Sequence, residues 1–281
     1  MLQGIDVSRY QGLPNWAAVS ASGVRFCMAK AAQGAGIGNS GRMFRDQSFA
    51  ANLTGASAAG IACGAYHYFT AATETGALEE ADYFCDALDE YRPLIQLWAA
   101  ADIEEKTPLA PLTPQERIRL AAAFLRRVRE RGYRPMLYAN PDFIVNVFGL
   151  RILDTLRELG AELWLAAWGA KRETLARYGD VKIWQYSSTG RVSGIASDVD
   201  LNCGFFELPE KPLTAEAGLR RGDTVRVLEP IVYGTDRRFH VYYDAYTVLA
   251  ASGDRVVIGV ASGSRSVITA AVAAAHLEKI R

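Results

Sequence analysis

Leu97-Trp98-Ala99-Ala100-Ala101-Asp102-Ile103-Glu104-Glu105 is the stretch on which the reading of this chain turns. Its first residues are uniformly apolar, as in a strand buried on both faces. Two acids follow at i and i+2, Asp102 and Glu104, and alternation along a strand puts both on one side. Like charges held together raise each other's pKa, so such a pair is costly to bury fully ionised. A buried strand that ends this way suits chemistry needing one protonated and one ionised carboxyl, as cleavage of a glycosidic bond does.

Apolar runs of the same kind recur on either side. Gly4–Ser8, Arg25–Ala31, Ile61–Phe69, Leu94–Glu104, Arg134–Asn140, Glu162–Trp168, Lys182–Ser188 and Ala196–Leu201 read as strands, eight in all. Between them Trp16–Ser22, Arg45–Ala59, Thr75–Tyr91, Thr113–Arg131 and Pro141–Leu159 read as helices. The fourth is the best marked. Thr113 and Glu116 form a capping box, Pro114 takes the first helical position and Gly132 ends the helix. Ile118, Ala121, Ala122, Leu125 and Val128 form its apolar stripe. Strand–helix alternation with apolar strands implies a parallel sheet covered by helices, and eight strands suggest closure. The helical signal fades after Trp168. The fold class is therefore α/β, an irregular eight-stranded β/α (TIM-like) barrel.

Glu207-Leu208-Pro209-Glu210-Lys211-Pro212-Leu213-Thr214 breaks the pattern with two prolines. Beyond it Asp223–Leu228, Arg238–Tyr243, Tyr246–Ala250, Arg255–Val260 and Val267–Val272 are short β-like runs separated by Gly-containing turns. The expected division is a catalytic barrel over 1–208, a linker over 209–217 and a small all-β barrel over 218–281.

Asp6, Asp102, Glu104 and Asp200 fall at or near the C-terminal ends of expected strands one, four and eight. In a parallel barrel those ends share one rim, where active sites sit. Each acid alone reads more readily as a solvated residue or helix cap; a same-face pair with two more at equivalent positions points to a site. Tyr66, Tyr68, Tyr138, Trp164, Trp168, Trp184, Gln185 and Tyr186 lie along the same strand ends. Aromatic faces with a polar edge suit sugar rings, though alternation sends about half of them into the core. His67 reads equally as structural or as a ligand. Three scattered histidines argue against a His-based metal site or triad, and no nucleophile elbow surrounds any serine. Gly34-Ala35-Gly36-Ile37-Gly38 lacks a phosphate-loop lysine and reads as a flexible rim loop. Asn52-Leu53-Thr54 is a nominal glycosylation sequon. Cys27, Cys63, Cys85 and Cys203 lack metal or redox spacing and read as buried free thiols. No metal or cofactor is expected.

Balanced charge, with 31 Lys+Arg against 31 Asp+Glu, argues against nucleic acid as the main partner. No apolar run is long enough to span a membrane. The start leads straight into a strand, with no visible signal peptide. Free thiols fit synthesis in a cytoplasm.

Taken in order, Gly4-Ile5-Asp6-Val7-Ser8 with Gln11-Gly12, Gly64-Ala65-Tyr66-His67-Tyr68-Phe69, Asp102-Ile103-Glu104, Trp184-Gln185-Tyr186 and Val199-Asp200-Leu201-Asn202 resemble the motifs of family 25 glycoside hydrolases, the Chalaropsis-type lysozymes, over about residues 3–206. The resemblance implies an N-acetylmuramidase that hydrolyses the β-1,4 bond between N-acetylmuramic acid and N-acetylglucosamine in peptidoglycan. It implies Glu104 as general acid and Asp102 as its partner toward the substrate's N-acetyl group. Asp6 and Asp200 would be further rim aspartates, with Asp198 the rival for the last place. Tyr66, Tyr68, Tyr138, Trp168 and Gln185 would bind substrate; at Trp168 many relatives carry tyrosine. The last 65 or so residues resemble, more loosely, the bacterial SH3-like modules of phage endolysins, which implies wall anchoring. A structural or dimerising role is the alternative for this region. The partner expected is the bacterial peptidoglycan glycan strand, with the protein a monomer or a homodimer. The expected location is the host cytoplasm until release and then the cell wall, with secretion as the alternative. Rival readings are a chitinase-like enzyme and a non-catalytic wall-glycan-binding barrel.

Overall fold

The computed structural model describes residues 1–36, 41–208, 219–235, 237–252, 254–262 and 265–280. Residues 37–40, which include part of the expected rim loop, and the whole of the expected linker, 209–217, lie outside the described residues. The chain divides into two units, Met1–Leu208 and Pro209–Arg281.

In the first unit the strands are β1 (Leu2–Val7), β2 (Phe26–Gln33), the short β3 (Phe44–Arg45), β4 (Ala62–Tyr68), β5 (Trp98–Asp102), β6 (Arg134–Ala139), β7 (Glu162–Ala166), β8 (Val181–Gly190) and β9 (Val199–Gly204). They pair in the order β1-β9-β8-β7-β6-β5-β4-β2-β3, and a direct β1–β2 pairing closes all but β3 into an eight-stranded barrel. β1, β2 and β4 through β8 run parallel. β9 does not: it is antiparallel to both β8 and β1, which corrects the all-parallel expectation. The physical reason is the connection. Residues 191–198 are too few for a helical crossover, so the chain turns back on itself.

Helices α1 (Trp16–Ala21), α2 (Phe49–Ala58), α3 (Glu74–Asp89), α4 (Pro114–Glu130) and α5 (Arg151–Leu159) lie along the strand connections. The expected capping box at Thr113 is formed on both sides. β9, expected over Ala196–Leu201, spans Val199–Gly204, and three other boundaries differ for local reasons. The helix expected from Arg45 starts at Phe49, because Phe44 and Arg45 pair with the end of β2. β5 starts at Trp98, because Arg92–Leu94, with its proline, forms a 3-10 turn. The helix expected over Pro141–Leu159 is interrupted: a π-helical turn spans Phe143–Val147, Gly149 has φ +77°, and α5 begins at Arg151.

Alternation sorts the strand residues into two cores. Ile5, Val7, Cys27, Ala29, Ala99, Ala101, Leu137 and Leu165 face outward and pack with helix residues such as Leu53, Phe84, Phe124 and Leu125. Phe26, Met28, Trp98, Ala100, Met136, Trp164 and Ile183 fill the barrel. Phe206 meets Phe26 and Trp98 edge-on, with centroids 5.2 and 4.8 Å apart. Gly4 belongs to this inner set because a Cβ there would fall on the Phe26 ring. The four cysteines are unpaired, and Cys27, Cys63 and Cys85 are buried. Asn52 is buried in α2, so the sequon is not a surface acceptor. No helix among the described residues is long and apolar enough to cross a membrane.

The second unit contains β10 (Thr224–Val227), β11 (Tyr246–Ser252), β12 (Arg255–Ser262), β13 (Arg265–Ala273) and β14 (Leu277–Lys279). They form one antiparallel sheet ordered β13-β12-β11-β10-β14. Val225, Tyr246, Val248, Val256, Ile258 and Val272 make its core. The strand expected over Arg238–Tyr243 is absent, with Arg238 contributing only an isolated bridge to Ile231. β14 comes from a segment with no clear alternation.

Gly4→Ala must displace Phe26 within a closed aromatic floor, and overpacking of this kind costs about 1–3 kcal/mol. The expected result is a lower urea midpoint with an unchanged slope in equilibrium unfolding.

Candidate active site

At one end of the barrel the inner set turns from apolar to polar. On β1 Gly4 is followed by Asp6. On β5 Trp98 and Ala100 lead to Asp102, and Glu104 comes two residues later. On β4 the set is Gly64, Tyr66 and Tyr68, on β6 Met136 and Tyr138, on β8 Ile183 and Gln185. β9 supplies Asp200 and Asn202. Asp200 was expected near the end of a parallel strand; it is the second residue of an antiparallel one. That reversal brings the start of β9 beside the end of β1, with Asp200 in register with Asp6. The four acids therefore share one mouth, as do Tyr138 and Gln185.

Asp6 is the hub. Its Oδ2 accepts hydrogen bonds from Gln185 Nε2 at 3.0 Å and Asn202 Nδ2 at 2.7 Å. The Gln185 Oε1 accepts from the Tyr138 hydroxyl and from Trp168 Nε1, both at 3.0 Å. Trp164 Nε1 donates to Asn202 Oδ1 at 2.8 Å. Each amide oxygen is held by donors, so each amide nitrogen must face Asp6. Burial raises the Asp6 carboxyl, while the Gln185, Asn202 and Asp200 hydrogen bonds oppose it. Burial, then the neighbouring Asp6, push Asp200 up to about 8. Asp6 is thus the acceptor and Asp200 the proton donor of the pair.

Asp102 is buried, and its Oδ1 has no hydrogen-bond partner among the described residues. Burial first, and the Glu104 charge second, hold its carboxyl well above the usual range. Glu104 opens onto a cleft of about 360 Å³ that Tyr138, Asn140, Ala167 and Trp168 help to line. Desolvation by the cleft walls, then Asp6, raise Glu104 as well. One carboxyl is sealed beneath the cleft and the other is presented to it.

The aromatic residues divide as alternation requires. Trp164 is core, with the Tyr138 and Tyr66 rings edge-on at 4.7 and 6.0 Å. Trp168 is 60% exposed, an aromatic face over the cleft fixed by its bond to Gln185. Tyr68 lies beneath the Lys30 ammonium, 4.9 Å from ring centroid to Nζ. His67 faces the other way, bonded to Glu80 at 2.9 Å and packed on Phe84 and Phe124. It is structural. Asp198 is tied to Arg191 at 2.9 Å and is exposed, so Asp200 alone joins the cluster. Lys30 and Asn202 were not singled out as site residues from sequence. Lys30 is the one charge within the apolar run Phe26–Ala32, on the face of Phe26 and Met28, and Asn202 shares the face of Asp200; those were the available signals.

A closed barrel whose mouth holds paired carboxyls of raised pKa beside an open, aromatic-flanked cleft defines a glycoside hydrolase. Residues 5–195 match the sequence profile of Glycosyl hydrolases family 25, and the chain belongs to that family. It is 32% identical over 209 residues to Lysozyme M1 of Streptomyces globisporus, covering 72% of this chain and 67% of the relative. It is 26% identical to the autolytic lysozyme of Clostridium acetobutylicum, over 72% of this chain and 55% of that protein. Among solved structures, the Streptomyces coelicolor lysozyme is 29% identical with TM-score 0.60, covering 73% of this chain and 92% of that one. The Clostridium perfringens spore cortex lytic enzyme SleM shares the fold at 19% identity and TM-score 0.61, over 94% of this chain and 77% of that one.

Asp200 has a folded value of about 8 against 3.8 for the free side chain. The folded chain then binds this proton more tightly than the unfolded chain, so stability falls as pH rises from about 4 to about 8. Asparagine cannot ionise, yet its amide still donates to Asp6. Asp200→Asn is expected to melt at higher temperature than the wild type, by a margin that widens between pH 5 and pH 9.

Proposed function

We propose that this protein is a peptidoglycan muramidase in which Glu104 is the general acid. The observation that carries this is the unequal exposure of two neighbouring carboxyls. Glu104 faces the cleft where a leaving oxygen could sit, and desolvation together with the nearby Asp6 carboxyl raises its pKa, which favours the acid form. Asp102 is sealed below, with a buried oxygen lacking a donor. The acetamido N–H of a bound sugar would supply that donor. Asp102 would thereby orient the N-acetyl group and stabilise positive charge on it as the glycosidic bond breaks. Asp6 and Asp200, sharing one proton, bind substrate and hold a fixed negative potential that keeps Glu104 in its acid form. Trp168 offers a stacking face, with Tyr66, Tyr68, Tyr138 and Gln185 shaping the subsites around it.

Residues 1–208 would then act as the catalytic unit, with 209–217 as the linker. We read 218–281 as an SH3-like wall-binding unit. Supporting this are its small antiparallel sheet with a separate core and its exposed Tyr233, Tyr242 and Tyr243. An endolysin kept in the host cytoplasm until release to the wall fits this combination.

Digestion of purified peptidoglycan, followed by borohydride reduction of new ends, identifies the bond cut. The expected product is reduced muramic acid, with Glu104→Gln slower by about 10²–10⁴-fold. Reduced glucosamine would place the cut at the other bond. Wall binding without new ends would make this a binding protein.

A chain ending at residue 208 is expected to keep its kcat on soluble glycan strands and to bind intact walls about tenfold or more weakly, since it loses the tethered second site. Pelleting with cell walls measures this. Unchanged pelleting would remove the wall-binding role.

A further inference from the structure

The mouth holds four carboxyls within one low-dielectric pocket, and two of them must do opposite things. Asp102 has the stronger pressure to be neutral, being the more deeply buried and lying beside Glu104. Left to that pressure it would take the proton that Glu104 needs. Something must hold Asp102 ionised without occupying the oxygen it presents to substrate.

We propose that Lys30 is the positioning residue that biases the division of the protons, its ammonium drawing Asp102 toward the carboxylate and so favouring Glu104 as the acid. This rests on the roles assigned to Glu104 and Asp102 above. Lys30 sits on the inner face of β2, next to β4, and its register partner across that pair is Tyr66. Two residues further along β4, Tyr68 lies in register with Asp102 of β5. The ammonium is over the Tyr68 ring and donates to Gln33 Oε1 at 2.7 Å. That acceptor is neutral, so it leaves the lysine charge uncompensated.

The other charged groups around Lys30 are committed elsewhere. Asp46, which follows β3, uses Oδ2 to accept from Arg9 N at 3.1 Å and Oδ1 to accept from Ser48 N at 2.9 Å. The Arg9 guanidinium lies over the rings of Tyr10 and Phe44, at 5.0 and 5.4 Å. Glu105 is engaged by Thr107 N at 3.0 Å. His67 and Glu80 pair with each other on the outer face of β4. What remains is Glu104, which opens onto the cleft, and Asp102 Oδ1, which is buried and unpartnered. Lys30 acts on Asp102 through space, and opposite charges favour the ionised carboxyl; it lowers Asp102 against the larger effects of burial and of Glu104. Burial lowers the lysine from its ordinary value, and Asp102 is the first of the charges that restore it. Lys30 also draws Glu104 down, but behind burial and Asp6.

The test is the pH dependence of kcat/KM for the full chain on soluble, un-cross-linked peptidoglycan glycan strands. Wild type, Lys30→Met, Lys30→Gln and Lys30→Arg are compared, each with a thermal melt. Loss of the cation is expected to move the acidic limb, set by ionisation of Asp102, to higher pH by about 1 unit. At pH 5 kcat should fall about tenfold while KM changes less than about twofold, each unit of pKa being a factor of ten in the ionised fraction. Lys30→Arg should restore limb and rate. Glutamine keeps a polar contact for Gln33 and serves if methionine fails to fold. An unmoved acidic limb in the neutral variants overturns the proposal, as does an arginine variant as impaired as they are. Glu104→Gln, run in parallel, separates the two readings: if it still cleaves, the acid assignment fails, whereas an inactive Glu104→Gln beside an unshifted Lys30→Gln removes only the role of Lys30.

Discussion

The buried carboxylate of Asp6 is where closure of the barrel and assembly of the site become one requirement. It accepts from Gln185 on β8 and Asn202 on β9, while its own strand pairs with β2 on the other side. A carboxylate this deep is unfavourable unless its lone pairs are filled. The donors that fill them come from the strands that complete the circle. Satisfying Asp6 therefore aligns the end of β8, the start of β9 and the end of β1. The same alignment aims Gln185 at Tyr138 and Trp168 and so fixes one wall of the cleft. Loss of either amide would leave part of the Asp6 charge unsatisfied, and loss of Gln185 would loosen the Trp168 face by the same stroke.

The inner face is graded along its length. Aromatic rings and methionines fill one end, where Phe26, Trp98 and Phe206 meet edge-on. Carboxyls and amides occupy the other. The packed end excludes water and lowers the dielectric beneath the acids, which strengthens every charge interaction above it. It also explains why the acids are displaced upward in pKa in a protein of zero formal net charge. Their perturbation is local, arising from burial and mutual repulsion within one mouth.

Much of this was legible in the chain because the chemistry sits on period-two elements. Asp102 and Glu104 stood out as charges continuing an apolar strand, and the same alternation separates Trp164, in the core, from outward-facing Leu165. Asp200 was identified through a geometry the protein does not have. Its strand is reversed, and an antiparallel strand that starts at the mouth serves as well as a parallel one that ends there. The period of two is blind to direction. Lys30 was passed over because a single lysine in an apolar run looks like a chain end reaching for solvent, and only the register of β2, β4 and β5 places it near Asp102. The break at Phe143–Val147 was hidden because the apolar spacing of Pro141–Leu159 continues through it. In the second unit the expected β-like runs correspond to β10 through β13, whereas Arg238–Tyr243 alternates without pairing as a strand and β14 carries no alternation that would mark it.

Stability and function pull against each other at the mouth. A carboxyl whose folded pKa is raised destabilises the fold whenever it ionises, so each acid kept there weakens the protein at the pH where it carries charge. Asp200 shows how the cost is contained: holding its proton up to about pH 8, it donates to Asp6 and turns two repelling charges into a hydrogen-bonded pair bearing one. Asp102 cannot use that solution, because its free oxygen is the one a substrate would meet. For it the compensating charge must be near but not in contact, and a cation resting on an aromatic ring with a neutral amide for company meets that condition. The division of labour between the two pairs then follows from geometry. Where the partner can touch, a shared proton suffices; where the oxygen must stay open, the field of a neighbouring cation has to do the same work.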